Sequence, residues 1–149
     1  MSNTTIIKTC FFKTSRETVW AFLTQKDKLA QWFHPSTADL AEGEDYALVE
    51  KQADGSESTV CWGNVVSMDE PSSLVYTFTV GPLNGAMTTV TWTLEEIQDG
   101  TRLTLKHEGI STAAGEAAMG LLMALDKGWD VHLDSMRVSI NPTTENECD

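Results

Sequence analysis

Apolar and β-branched side chains crowd residues 5–13 (TIIKTCFFK), and that density predicts a strand. TSRETVWAFL follows. Thr14 with Glu17 three residues later is a capping-box signal; Val19, Phe22 and Leu23 share one face of the helix it opens, with Trp20 beside them. Thr24 and Asp27 give a weaker second start, predicting a short helix over 25–31. LAQWF ends it, and Pro35 disfavours a helical conformation at His34. Beyond Gly43 the period falls to two. Tyr46 and Leu48 alternate with Ala47 and Val49, Asp54 and Gly55 supply a hairpin turn, and 58–68 reads as the return strand with a bulge at Gly63. Pro71 and Ser72 turn the chain again.

The next three strands alternate cleanly. Leu74, Tyr76, Phe78 and Val80 oppose Thr77 and Thr79; Val90, Trp92 and Leu94 oppose Thr89, Thr91 and Thr93; Leu103, Leu105 and His107 oppose Arg102, Thr104 and Lys106. One face is apolar and the other wet, as antiparallel sheets commonly are. Asn84 with Gly85 and Asp99 with Gly100 supply the turns. From about 113 to 140 the pattern is helical: Met119, Leu122, Trp129, Leu133, Met136 and Ile140 recur at helical spacing, and Met123 and Leu125 widen the stripe. Asn141 and Pro142 end it, and 141–149 is expected to be a flexible acidic tail. The expected fold is therefore α+β. An antiparallel sheet of about six to seven strands has one apolar face, two short helices follow its first strand, and the C-terminal helix is the only element long enough to cover that face. A curved sheet gripping such a helix leaves a space between them, with the short helices at one end.

At 149 residues this reads as one domain, with an ordered core over about 5–140. A formal charge of −12 repels phosphates, so neither nucleic acid nor an anionic membrane surface is an expected partner. The N-terminus lacks the basic start and apolar run of a signal peptide, no stretch approaches a membrane helix, and a cytoplasmic location is expected. Cys10, Cys61 and Cys148 form neither a CxxC pair nor a zinc pattern; packed, reduced thiols are expected for the first two. No GxSxG, Gly-rich phosphate loop or HExxH occurs, and His34, His107 and His132 lie far apart in the chain. No catalytic residue, metal site or cofactor is assigned.

An ordered set of motifs carries a resemblance. It comprises F-x-x-S-x-E-x-V-W from Phe12 to Trp20, LAQWFHP with Ala38, Asp39 and Gly43, the GxV of Gly63 to Val65, LVYTF, TVTWTLEE, GTRLTLKHEG, and Gly128 and Trp129 with Leu133. Over about residues 5–140 the chain resembles the helix-grip (Bet v 1-like, START-like) superfamily. More closely, it is similar to the branch related to the C-terminal domain of the activator of Hsp90 ATPase. The resemblance implies a cavity between sheet and long helix that binds apolar small molecules in many relatives. The activator carries a further domain ahead of this one. Here the fold begins within the first few residues, so that domain is expected to be missing, and a full co-chaperone role with it.

On this frame Trp32 and Phe33 stand at the open end of the grip, where they can close it or staple the short helix to the core. Trp62, Tyr76, Phe78 and Trp92 are expected to point inward from the sheet, and Met119, Leu122, Met123 and Trp129 from the helix. They form either a ligand wall or a plain core. A dry void of roughly 300 Å³, the lower end of ligand pockets, would cost on the order of 7 kcal/mol against a typical total stability of about 5–15 kcal/mol. Side chains, water or a ligand must therefore fill the space. His107 and Asp126 lie on or near the apolar registers; both inward, they could pair or offer a ligand two polar handles. The competing and favoured reading puts His107 at the rim and Asp126 in water. Three functions remain open. The leading one is a non-catalytic protein holding a small apolar or amphipathic molecule. The second is a module that binds or stimulates an Hsp90-type chaperone, and the third is a cavity-based cyclase or hydrolase.

Overall fold

The computed structural model describes residues 5–36, 38–51, 53–80, 87–110 and 118–141. Strand β1 (Ile6–Phe12) leads into helices α1 (Arg16–Thr24) and α2 (Lys26–Trp32). Strands β2 (Asp45–Lys51), β3 (Glu57–Asp69), β4 (Ser73–Val80), β5 (Thr88–Ile97) and β6 (Gly100–Glu108) follow, and α3 (Ala118–Ile140) closes the order. The sheet is antiparallel throughout, in the order β1-β6-β5-β4-β3-β2. The α+β architecture expected from the alternation is the one observed. The expected turn at Asn84 and Gly85, the helix start at 113–117 and the tail at 142–149 with Cys148 lie outside the described residues.

The alternating strands bury one face. Leu94 pairs with Leu103, Trp92 with Leu105 and Val90 with His107; Leu74 and Tyr76 continue the rows from β4. All of these are buried, and α3 lays Trp129, Leu133 and Met136 against them. Fully burying a large apolar side chain stabilises by roughly 1.5–3 kcal/mol, so these rows fix both the register and the position of the helix.

The helix starts differ from expectation in instructive ways. The N-cap of α1 is Ser15, not Thr14: its side chain accepts from the Thr18 amide at 3.3 Å. Thr24 does not cap α2, because its hydroxyl bonds back to the Trp20 carbonyl. The free amide of Lys26 is taken instead by Asp39, thirteen residues on, at 2.8 Å. Gly63 is not at a bulge either. The register of β3 slips between Val65 and Ser67, whereas at Gly63 the β4 backbone comes too close for any side chain, and an added Cβ would lie 2.0 Å from the Thr77 carbonyl oxygen.

Candidate functional site

Two layers lie between sheet and α3. The inner layer is a closed aromatic cluster. Trp32, Tyr76, Phe78, Trp92 and Trp129 are all buried; Trp92 meets Trp32 and Trp129 edge-on at centroid distances of 5.9 and 5.6 Å. Every polar atom of these rings has found a partner inside the protein. The Trp32 indole donates to the Phe22 carbonyl at 2.7 Å, and the Trp92 indole donates to the Tyr76 hydroxyl at 2.9 Å. Burial raises the pKa of the Tyr76 hydroxyl well above that of a free phenol.

His107 is the polar centre of this layer. It is completely buried, which corrects the favoured placement at the rim: the strand register carries it inward. An indole N–H can only donate, so the Trp129 Nε1 at 3.0 Å obliges His107 Nδ1 to accept. The proton therefore sits on Nε2, which donates to Thr88 Oγ1 at 2.7 Å; that hydroxyl donates in turn to the Phe78 carbonyl at 2.7 Å. Desolvation lowers the imidazole pKa to about 4. A neutral histidine in a saturated chain of hydrogen bonds ties α3 to three strands.

Asp126 does not join it. Lys8 occupies an inward register position at the edge strand, between Ile6 and Cys10. Its side chain is only 18% exposed, and its amine reaches Asp126 at 2.7 Å and Asp130 at 2.9 Å, which turns Asp126 to the flank of α3. Asp126 is thus not a cavity residue: it stands in water, the favoured of the two readings, and does not pair with His107. The inward placement of Met119 and Met123 is corrected. At about 100° per residue the arc centred on Trp129 and Met136 leaves them on the same flank, 63% and 65% exposed. Leu122 is half-buried against the core. Trp62 lies on the opposite face of the sheet from Cys61 and Val65, beside Ala47, Asn64 and Thr77. The expected inward placement of Trp62 is therefore corrected: in CWGNVV both registers carry apolar residues, and alternation gives no direction.

The outer layer is a cleft at one end of the grip, with a volume of about 130 Å³. Phe33 and His34 reach it from the end of α2, Val60 and Cys61 from β3, Phe78 from β4, and Ala124, Leu125, Gly128, Trp129 and His132 from α3. Trp32 is stapled into the core, while the half-buried Phe33 stacks on it at 5.0 Å and forms the cleft wall. The two readings of that pair divide between the two residues. Phe33 also touches His34 at 5.1 Å and His132 at 4.7 Å, and the two histidine rings are 5.2 Å apart. Burial lowers the pKa of both; Glu50 acts against this at His34, while His34 deepens it at His132. Burial pushes the Cys61 thiol up to about 12, so it is an inert wall group. His107 and His132, distant in the chain, thus both pack against Trp129, and His34 joins them through His132. No three His, Cys, Asp or Glu side chains converge as metal ligands among the described residues. No helix among them is long and apolar enough to cross a membrane.

Sequence reasoning missed His34, Cys61, Gly128 and His132. The signals were present: His34 follows Phe33 directly, and His132 lies one turn beyond Trp129.

Residues 13–140 match the family model described as activator of Hsp90 ATPase homolog 1-like protein. The chain belongs to that family. No curated protein matches it. Among solved structures it is similar to CalU16 from Micromonospora echinospora, at 24% identity over 94% of this chain and 78% of that one, with a TM-score of 0.72. Protein CV1439 from Chromobacterium violaceum superposes with a TM-score of 0.75 at 19% identity, covering 93% of this chain and 98% of that one. The AHSA1 (SPO3351) protein from Silicibacter pomeroyi gives 0.72 at 20% identity, over 91% and 96% of the two chains. These likenesses establish the helix-grip fold.

Proposed function

We propose that the protein is a non-catalytic binder of a small apolar or amphipathic molecule, seated in the cleft between Phe33, Cys61, Phe78, Gly128, Trp129 and His132. The observation that carries this reading is at Gly128. A helix-interior glycine costs about 1 kcal/mol relative to alanine. Nothing lies within 4 Å of where its Cβ would be, so packing does not demand it. With Ala124 one turn earlier it keeps the cleft open against an otherwise filled core. The space is that of about four water molecules at roughly 30 Å³ each, enough for one small ring. A larger guest needs Phe33 and the α2–α3 junction to move.

The test is uptake of a dansyl-labelled fatty acid, with native mass spectrometry of the purified protein for any retained molecule. Gly128→Leu should fill the cleft and abolish uptake while the protein stays folded. Equal uptake by that variant, or none by the unaltered protein, would remove the proposal.

A second reading has its own support. The saturated aromatic layer is closed, and the family is named for an activator of the Hsp90 ATPase. The chain would then act through its acidic surface on an Hsp90-type chaperone. Chaperone ATPase rates with and without the protein, at low and moderate salt, discriminate the two. A cyclase or hydrolase finds little support, since both nitrogens of His107 are engaged and Asp126 stands outside.

A further inference from the structure

We propose that His34 and His132 form a proton-operated clasp across the mouth of the cleft, shut while both imidazoles are neutral and parted when both carry charge. The geometry comes first. His34 extends from the end of α2, and His132 stands one turn beyond Trp129 on α3. Their rings meet 5.2 Å apart with Phe33 against both. These three rings are where α2 and α3 touch over the cleft, and Cys61 lies behind them. At His132 burial and the neighbouring His34 both lower the pKa, and the Trp32 backbone acts against them by favouring the charged ring.

The surroundings decide what a proton does there. From β2, Glu50 faces His34 and favours its charged form. From β3 the titratable group is Cys61, neutral through burial; β4 contributes Phe78. On α3 the neighbours one turn either side of His132 are Gly128, Trp129, Ser135 and Met136, none of which charges. Asp126 and Asp130 are engaged by Lys8 on the β1 flank, and Asp134 pairs with Arg137. The first proton is therefore accommodated at His34 beside Glu50. The second, at His132, has no carboxylate of its own among the described residues and meets the first charge at ring-contact distance. Parting the rings returns both to water and to an ordinary histidine pKa of about 6.5. The parted form binds more protons, so acidification favours it. Each pKa unit by which closure depresses a ring shifts the open-to-shut ratio about tenfold once the pH is below both values.

The clasp rests on reading this cleft as the binding site, but its test needs no ligand, so either idea can fail alone. The full chain is labelled with dithiodipyridine, which reacts in mild acid, and Cys61 and Cys10 are scored separately by peptide mass spectrometry. Rates are normalised to glutathione at each pH. From about pH 7.5 to about pH 5 (above the pKa of His107, about 4) Cys61 labelling should rise roughly tenfold or more. Cys10, on the buried face of β1, should not change, since it reports global unfolding. The doubly substituted H34N/H132N protein should lose the rise. If it fails to fold, each single variant should still reduce it, because one charge has nothing to repel. A parallel rise at Cys10, a flat response at Cys61, or an undiminished rise in the variants would overturn the clasp.

Discussion

Acid should destabilise this protein through His107 by an amount the geometry sets. The group is fully buried and neutral, with a pKa of about 4 in the folded chain against about 6.5 when unfolded. Between those values the unfolded chain holds a proton that the folded chain refuses, so stability rises with pH across that window and falls as pH drops through it. The full difference of about 2.5 units corresponds to roughly 3 kcal/mol, a large part of a typical domain's stability. The cause is visible in the hydrogen bonds. A proton on Nδ1 would face the Trp129 indole donor with nothing to receive it, in a place no water reaches.

Urea unfolding followed by tryptophan fluorescence, from about pH 7.5 to about pH 4, measures this if compared with His107→Gln. A glutamine can accept from Trp129 and donate to Thr88 but does not titrate. Whatever offset the substitution has at neutral pH, the contributions of the carboxylates and of His34 and His132 are common to both proteins and cancel. The wild type should therefore lose about 3 kcal/mol more than the variant over this range. A difference between the two that stays constant with pH would refute the argument, since it would mean that His107 carries the same charge in both states.

Other substitutions test other joints of the fold. Gly63→Ala forces a Cβ to 2.0 Å from the Thr77 carbonyl oxygen, and should cost several kcal/mol in chemical denaturation or prevent folding. Gly128→Ala should instead raise the unfolding midpoint, by up to about 1 kcal/mol in stability, because the space beside it is empty. Lys8→Met should cost about 1 kcal/mol or less, and less again in high salt, because Asp126 and Asp130 remain more than half exposed. Asp39→Ala removes the distant cap of α2 and should lower stability by about 1 kcal/mol.

What the chain disclosed on inspection follows from which forces are periodic. Strands β4, β5 and β6 alternate Thr with large apolar residues, so their faces were legible from the alternation; His107 follows its register inward, although a place at the rim was the favoured reading. Trp62 was not, because Val60, Cys61 and Trp62 place apolar groups on both faces of β3, and alternation then gives no direction. The flank of α3 was misread for a different reason. Met119, Met123 and Asp126 sit at the edge of a helical stripe, and what turns that edge outward is Lys8, more than a hundred residues away. The Asp39 cap of α2 is non-local in the same sense. The histidines of the cleft are brought together only by the packing of α2 on α3.

The size of the cleft is itself an energetic statement. At roughly 24 cal/mol per Å³, a dry gap of about 130 Å³ would cost on the order of 3 kcal/mol, less than half the figure for a drug-sized void. Five tryptophans are available, and those at 32, 92 and 129 fill the deep part of the grip, where a void would be driest. The space that remains is at the mouth, where two imidazoles can hydrogen-bond water and relieve much of that cost. A leucine at 128 would remove it altogether at a position with room for the side chain. Folding stability therefore does not require the gap, and stability alone would favour closing it. The residue that holds it open, rather than the aromatic rings that surround it, is the feature of this chain that points to a guest.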